Sequence, residues 1–386
     1  MSGLDLLDDA RRTVPEISVE ELRRLLDAGV GLELLDVRDH SELDAGSLPG
    51  AVSIPRGHLE LEVEARIPRH RPVVVYCAEG IRSLLAAKTL QALGYTKVWS
   101  LAGGFDQWKR SGGPSATPRQ LTGQERSRYR RQVSIPEVGE EGQLELLASK
   151  VLCIGAGALG SPSALYLAAA GVGTLGIIDD DVVDESNLQR QILHATDRVG
   201  MPKTASAAKT IQALNPGVRV IEHRARLTRE NALEILAGYD LVVDGCDNFS
   251  TRYLVNDACV MLRKPSVHGS VFRFEGQVTT FVPGDGPCYR CLFPEPPPAD
   301  FAPTCQEAGV LGVVPGIIGS LQAVEALKLL LRRGRPLVGR LVVYDALEQT
   351  FRELRYKRDP SCIACGPVKM TELPEYGEVA CALLRQ

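Results

Sequence analysis

The 386-residue chain has no excess of either charge: 44 Lys and Arg stand against 48 Asp and Glu, a formal net charge of −4. Nucleic acid and anionic lipid both ask for a net basic face, so neither is the expected main partner. Cysteine is too scarce for a disulfide scaffold, ten residues in all. Four of the ten form two Cys-x-x-Cys pairs, a pattern that reads as metal binding in a reducing compartment. The amino terminus, MSGLDLLDDARR, lacks the basic start and apolar core of a signal peptide. Cytoplasm is the expected location. An uncharged stretch from Val151 to Ile178 is long enough to span a bilayer. Six glycines and Pro162 cut it into strand, helix and strand, so no membrane span is expected. There is no internal repeat.

What the chain does have is ordinary globular composition, 44% apolar and 24% charged, in a length that suits two or three domains. Composition shifts once. Ser111 to Gln124 (SGGPSATPRQLTGQ) is rich in Gly, Ser, Pro and Thr without apolar periodicity and reads as an exposed linker. The predicted division is a small α/β domain over 14–112, a linker over 113–124 and a larger α/β domain over 125–386. Short apolar runs such as Leu32–Val37, Val73–Tyr76 and Val98–Leu101 alternate with helical patterns at Val19–Ala28 and Ser83–Leu93. That alternation predicts parallel sheets with helices on their faces. Thr122 with Glu125 forms a capping box that opens the larger domain.

In the small domain, Val73–Tyr76 delivers Cys77 to the start of a helix through the stretch CAEGIRS. Unpaired N–H groups and the helix dipole favour an anion there, Gly80 lets the loop curl, and Arg82 brings a cation near. Such a setting lowers a thiol pKa from about 8.5 into the range of roughly 3.5 to 7.5. Cys-x-x-Gly-x-Arg-Ser after a strand resembles the active loop of a single-domain rhodanese. LLDVRDHSE (34–42), GSLPGAVSIP (46–55) and LAGGFDQWKRSGGP (101–114) match the family's other signatures, with Ser47 standing where the family usually has histidine. The resemblance implies a persulfide carried on Cys77, with Arg82 and the loop amides holding the anion. Asp36 and Arg38 read as a structural polar network.

In the larger domain, Val151–Ile154 reads as a buried strand followed by GAGALG, with glycines at Gly155, Gly157 and Gly160. This turn lets a phosphate approach a helix amino terminus, and Asp179 ends the next strand, where a carboxylate binds ribose hydroxyls. Taken alone, the turn suits a nicotinamide dehydrogenase as well as an ATP enzyme. Asn187, Arg190 and Lys203 then offer polar and cationic groups for a triphosphate, and Asp247 in DGCDN offers a hard oxygen ligand for magnesium. In order along the chain, RYRRQ, GAGALG, SNLQRQ, CDN, CYRC and TCQEAG resemble the MoeB and ThiF family of ubiquitin-activating-enzyme-like adenylyltransferases. The likeness is strongest to the adenylyltransferase/sulfurtransferases of molybdopterin synthesis and tRNA thiolation, including TRYLVNDACV (251–260) and FPEPPPA (293–299). It implies a Rossmann-like domain that binds ATP and magnesium through Gly155, Gly157, Gly160, Asp179, Ser186, Asn187, Leu188, Gln189, Arg190, Lys203, Asp247 and Asn248. It also implies a homodimer in which Arg131 reaches the phosphates of the neighbouring subunit.

Cys288, Cys291, Cys362 and Cys365 supply four thiolates, enough for a closed, structural zinc site. Cys153, Cys246 and Cys259 lie in apolar elements and read as core. Cys305, after the proline-rich segment Pro294–Pro303, falls on an irregular loop where reactive residues concentrate. By resemblance it forms a thioester or disulfide-linked intermediate with the carrier. Cys381 has no assigned role.

The resemblance implies that ATP adenylates the C-terminal glycine of a ubiquitin-like sulfur carrier ending in Gly-Gly. The Cys77 persulfide, loaded by a cysteine desulfurase or thiosulfate, then converts the acyl adenylate to a thiocarboxylate, directly or through Cys305. In related fusions the rhodanese domain follows the adenylating domain, whereas here it comes first, and a flexible linker of about 14 residues spans roughly 20 Å. The alternative is a stand-alone thiosulfate sulfurtransferase whose second domain only binds a carrier.

Overall fold

The computed structural model describes residues 3–116, 119–295, 309–367 and 370–375. Contacts divide the chain into Met1–Gln120 and Leu121–Gln386. The first unit runs α1 (Gly3–Thr13), β1 (Glu16–Ile17), α2 (Val19–Asp27), β2 (Glu33–Asp36), β3 (Val52–Ser53), α3 (Leu59–Arg66), β4 (Val73–Tyr76), α4 (Ile81–Ala92), β5 (Val98–Leu101) and α5 (Gly104–Arg110). Its strands form a parallel sheet in the order β1-β5-β4-β2-β3. Every residue of β4 is buried, because successive side chains enter opposite cores. Val73 and Val75 pack with Leu84 and Leu90 on one face, and Val74 and Tyr76 pack with Phe105 and Trp108 on the other.

The network read from Asp36 and Arg38 is a buried ion pair. Arg38 Nε donates to Asp36 Oδ1 at 3.0 Å and Nη2 to Oδ2 at 2.6 Å, while Nη2 also donates to the Gly46 carbonyl at 2.6 Å. The guanidinium lies 4.2 Å from the Phe105 ring centroid and 5.7 Å from that of Tyr76.

Two features of this unit differ from the sequence reading. Residues before Val14 form α1, which docks on α4 through buried Ala10 and an ion pair between Asp9 and Lys88. Part of the polar stretch read as an exposed linker is tied to the sheet unit: Ala116 exchanges main-chain hydrogen bonds with Ser47, and Trp108 Nε1 donates to the Pro114 carbonyl at 2.8 Å. The Asp9–Lys88 and Ser47–Ala116 contacts join residues distant in sequence, so local composition does not reveal them.

The second unit runs α6 (Gly123–Val133), α7 (Gly139–Ala148), β6 (Lys150–Ile154), α8 (Gly160–Ala170), β7 (Thr174–Ile178), α9 (Lys203–Leu214), β8 (Arg219–His223), α10 (Arg229–Ala237), β9 (Leu241–Asp244), α11 (Phe249–Leu262), β10 (Ser266–Phe272), β11 (Glu275–Phe281), α12 (Tyr289–Leu292), α13 (Val313–Leu331), β12 (Arg340–Asp345) and β13 (Thr350–Arg355). The Thr122/Glu125 capping box opens α6 as read. The sheet order is β13-β12-β11-β10-β9-β6-β7-β8. Strands from β8 to β10 are parallel, and β10 to β13 continue as an antiparallel meander. Val151–Ile178, long enough for a bilayer, is β6, α8 and β7 of this core. Helix α13 is also long and apolar enough to cross a membrane. It instead packs Ile318, Ala323 and Ala326 against Val267, Val278 and Tyr344 of the sheet.

Removing Arg38 leaves the Asp36 carboxylate buried with no cation, which costs about 3–5 kcal/mol. Both tryptophans, Trp99 and Trp108, lie in the first unit. Arg38→Met is therefore expected to lower the urea midpoint of the tryptophan fluorescence transition, and an unchanged midpoint refutes a stabilising role for the pair.

Candidate functional site

Cys77 lies at the carboxyl end of β4 and is 2% exposed. Gly80, whose φ of 97° is strained for any other residue, turns the loop so that its N–H donates to Cys77 Sγ at 3.1 Å. Ser83 Oγ stands 3.6 Å from the sulfur, and is held by the Gly80 carbonyl at 2.8 Å and Ser100 Oγ at 2.9 Å. Arg82 is near but already engaged: Nη1 and Nη2 donate to the two carboxylate oxygens of Glu42 at 2.6 and 2.7 Å. That hydrogen bonding holds the Glu42 carboxyl down at about 2. Sequence spacing offered no sign of the pair, since the partners are 40 residues apart.

The second site is a cavity of about 370 Å³ at the carboxyl ends of β6, β7 and β9, three adjacent strands. Open parallel sheets bind ligands at such strand ends. Gly155 turns the chain at φ 86°, and a Cβ on Gly160 would sit 1.9 Å from the Gly155 carbonyl oxygen, so α8 starts flush against the turn. Asp179 accepts from Ala156 N at 2.8 Å and from Asp181 N at 2.9 Å. Burial raises its pKa above the ordinary carboxylate range, against the pull of Lys203. Lys203 is only 7% exposed and pairs with Asp181 Oδ2 at 2.7 Å. It occupies the first turn of α9, where the helix dipole disfavours a cation. Local helix chemistry does not explain that placement; a nearby anion does.

Among the residues expected here, Gly155, Gly157, Asp179, Asn187, Arg190, Lys203, Asp247 and Asn248 line the cavity. Gly160, Ser186, Leu188 and Gln189 do not. Gly160 serves the packing just described, Ser186 is bound to Asp184 as a turn cap, and Gln189 turns its carbonyl against Gly312. Asn248 caps α11, accepting from Thr251 N at 2.9 Å. Arg131 is exposed on α6, outside the lining of its own chain's cavity. The lining also includes Asp180, Asp181, Gln191 and Arg252, which sequence reasoning did not single out. Cys305 and Cys381 lie outside the described residues. Cys153, Cys246 and Cys259 are buried, as read, and burial pushes each thiol above its ordinary range.

The four paired cysteines converge. Sulfur–sulfur distances are 3.9 Å for Cys288–Cys291, 3.6 Å for Cys288–Cys362 and 3.4 Å for Cys291–Cys365, and all four atoms lie within 4.8 Å of one another. Zinc–sulfur bonds of about 2.3 Å in a tetrahedron require sulfur–sulfur edges of about 3.8 Å, close to the three distances given, so four thiolates of this spacing suit the ion.

The fold and these sites define a Rossmann-like unit with a cavity at its strand ends, preceded by a small parallel-sheet unit with a cysteine at a strand-to-helix loop. A ThiF family profile matches residues 129–364, and a rhodanese-like domain profile matches residues 18–111. The sulfur carrier protein adenylyltransferase of Thermus thermophilus is 54% identical over 268 residues, 68% of this chain and 98% of that protein. The adenylyltransferase and sulfurtransferase MOCS3 of Culex quinquefasciatus is 48% identical over 258 residues, 66% of this chain and 59% of that longer protein. A crystal structure of E. coli MccB with ATP shares the fold, with a TM-score of 0.53 at 24% identity over 62% of this chain and 74% of that one. The chain belongs to the ThiF family and carries a rhodanese-like domain ahead of its ThiF domain.

The Glu42–Arg82 pair carries a pH signature. A carboxyl near 2 when folded and about 4.3 when unfolded adds stability that is fully present above the unfolded value and is lost as pH falls through the folded one. Glu42→Gln is expected to flatten the fall of the tryptophan-monitored urea midpoint between about pH 5 and pH 2; a wild-type slope in the variant contradicts the pairing.

Proposed function

We propose that the chain uses ATP to adenylate the C-terminal glycine of a ubiquitin-like sulfur carrier and then replaces the adenylate with sulfur carried on Cys77. The observation that supports this most is the cavity in which a glycine-rich turn, Asp179, Lys203, Arg190 and Asp247 meet. A carboxylate resists attack because electrons must be pushed onto an already anionic group, and adenylation supplies a leaving group. The carrier's carboxylate is already ionised at neutral pH, so the first step needs alignment and charge stabilisation rather than a general base.

One carboxylate oxygen forms a bond to the α-phosphorus as pyrophosphate leaves. Lys203 and Arg190 offset the charge that accumulates, and Asp179 binds the ribose. Asp247, exposed at the cavity wall, would hold magnesium, which neutralises phosphate charge when bound. The terminal sulfur of the Cys77 persulfide next attacks the acyl carbon and AMP leaves. A second thiol, for which Cys305 is the candidate, then attacks Cys77 Sγ in the acyl disulfide. The thiocarboxylate leaves and Cys77 remains in a disulfide, which cellular thiols reduce.

Gly80 N–H and the loop around it hold the sulfur of Cys77 in place. The proposal includes a homodimer, since exposed Arg131 suits delivery to a partner's phosphates better than to its own cavity. It includes zinc as the ion of Cys288, Cys291, Cys362 and Cys365. With four protein ligands the site has no open position, so its role is to tie α12 to the segment after β13.

Three measurements test this reading. Mixed with ATP and a carrier ending in Gly-Gly, the protein is expected to exchange labelled pyrophosphate into ATP, and Lys203→Ala to slow that exchange about 100-fold or more. Cys77→Ala should retain the exchange but lose the carrier mass change for oxygen replaced by sulfur. No exchange with any diglycine carrier refutes the adenylation, and full sulfur transfer by Cys77→Ala refutes the role of the cysteine. The protein as purified is expected to hold one zinc per chain by elemental analysis, and Cys291→Ser to lower both zinc content and melting temperature; a zinc-free protein of unchanged melting temperature contradicts the assignment.

A further inference from the structure

We infer that Glu42 selects the sulfur donor of Cys77: by neutralising Arg82 it turns away small dianions such as thiosulfate and leaves the loop to a persulfide carried on a thiol. The inference rests on reading Cys77 as the sulfur carrier and names the chemical class that loads it. Arg82 is the only cation in the stretch CAEGIRS. A dianion that brings its sulfane sulfur to Cys77 Sγ needs that charge, because the loop otherwise offers backbone amides, and one of them, Gly80 N–H, already donates to the sulfur. Both terminal nitrogens of the guanidinium are instead engaged by the two Glu42 oxygens at 2.6 and 2.7 Å, and Asp39 Oδ2 stands 3.8 Å from Nη1. Glu79, exposed within the loop, adds a further carboxylate. A dianion arriving at the sulfur therefore meets a neutralised cation and a surplus of negative charge.

Glu42 is held in place independently of Arg82. Its Oε2 accepts from Asp39 N at 3.0 Å across the turn His40–Ala45, and its carbonyl accepts from Nη1 of the buried Arg38 at 3.3 Å. The carboxylate is thus fixed before any donor arrives, and the half-buried pair is only partly screened by solvent. A persulfide demands less of the loop, since its reacting end brings at most one charge. The Cys77 thiolate attacks the outer sulfur of R–S–SH, the S–S bond breaks with its electron pair on R–S−, and the outer sulfur keeps its proton as Cys77–S–SH. The same attack on thiosulfate expels sulfite, and the negative charge that gathers on it is what an unmasked Arg82 would stabilise.

The test supplies the full chain with thiosulfate or with a cysteine desulfurase and cysteine, reading the Cys77 persulfide by intact mass and steady-state transfer from thiosulfate to cyanide. Wild type is expected to gain one sulfur atom from the desulfurase and to use thiosulfate poorly. Glu42→Gln keeps the shape and a hydrogen bond to Arg82 but removes the charge. It should raise kcat/KM for thiosulfate about tenfold, chiefly through KM, with loading from the desulfurase unchanged. Adding Arg82→Gln to Glu42→Gln should abolish the gain, because the gain comes from the unmasked cation. A merely structural role predicts neither the KM effect nor its dependence on Arg82. Wild type gives a second reading if the variant folds poorly: added potassium chloride should raise kcat/KM for thiosulfate by screening the repulsion, and a fall shows net attraction and overturns the inference. Equal use of thiosulfate by wild type and Glu42→Gln, or a gain that persists without Arg82, overturns the role of Glu42. Loading of wild type from thiosulfate alone overturns the donor class. A Cys77 that takes sulfur from neither donor overturns the carrier reading itself.

Discussion

The cavity of the larger unit depends on the close approach of α8 to the end of β6. With only hydrogens on Gly160, the helix begins against the Gly155 carbonyl, a position from which a methyl group would be excluded by a 1.9 Å contact. The rest of the cavity is built outward from that turn. Within it, Ala156 N fixes Asp179. The Asp179 carboxylate fixes Asp181, which holds Lys203 by both its carbonyl and its carboxylate. Displacing the turn would move Asp179, Asp181 and the buried Lys203 together.

The small unit solves a related problem with the same means. A parallel strand ends at Cys77, a left-handed glycine turns the chain, and a helix begins within reach of the sulfur. In both units a site cation is held by a carboxylate: Arg82 by Glu42 and Lys203 by Asp181. A buried or half-buried cation with a fixed counter-ion keeps its charge and its aim, at the cost of competition with any arriving anion. The near-neutral sequence therefore says little about its sites, because the relevant charges are local and paired.

Much of the architecture was legible because it is encoded locally. Glycines between an apolar strand and a helix, Cys77 at a strand end, and paired cysteines each carry their chemistry in a few consecutive residues. Buried parallel strands show as continuous apolar runs. The antiparallel meander from β11 to β13 was not foreseen, since strand direction depends on partners and β13 is exposed along its length. The docking of α1 and of Ser111–Ala116 escaped notice for a similar reason: a polar segment becomes ordered through what it lands on, here α4, Ser47 and Trp108.

The sequence by itself determined which chemical groups are present and which element each occupies, since strand and helix periodicity and turn-forming glycines act over a few residues. Tertiary structure alone decided which groups meet. It brought Cys288 and Cys291 to Cys362 and Cys365 across 74 residues, paired Arg82 with Glu42 across 40, and set Gln191 rather than Gln189 at the cavity wall. Those encounters follow from sheet order and helix packing, which sum weak contacts over the whole domain and leave no signature in any short stretch of chain.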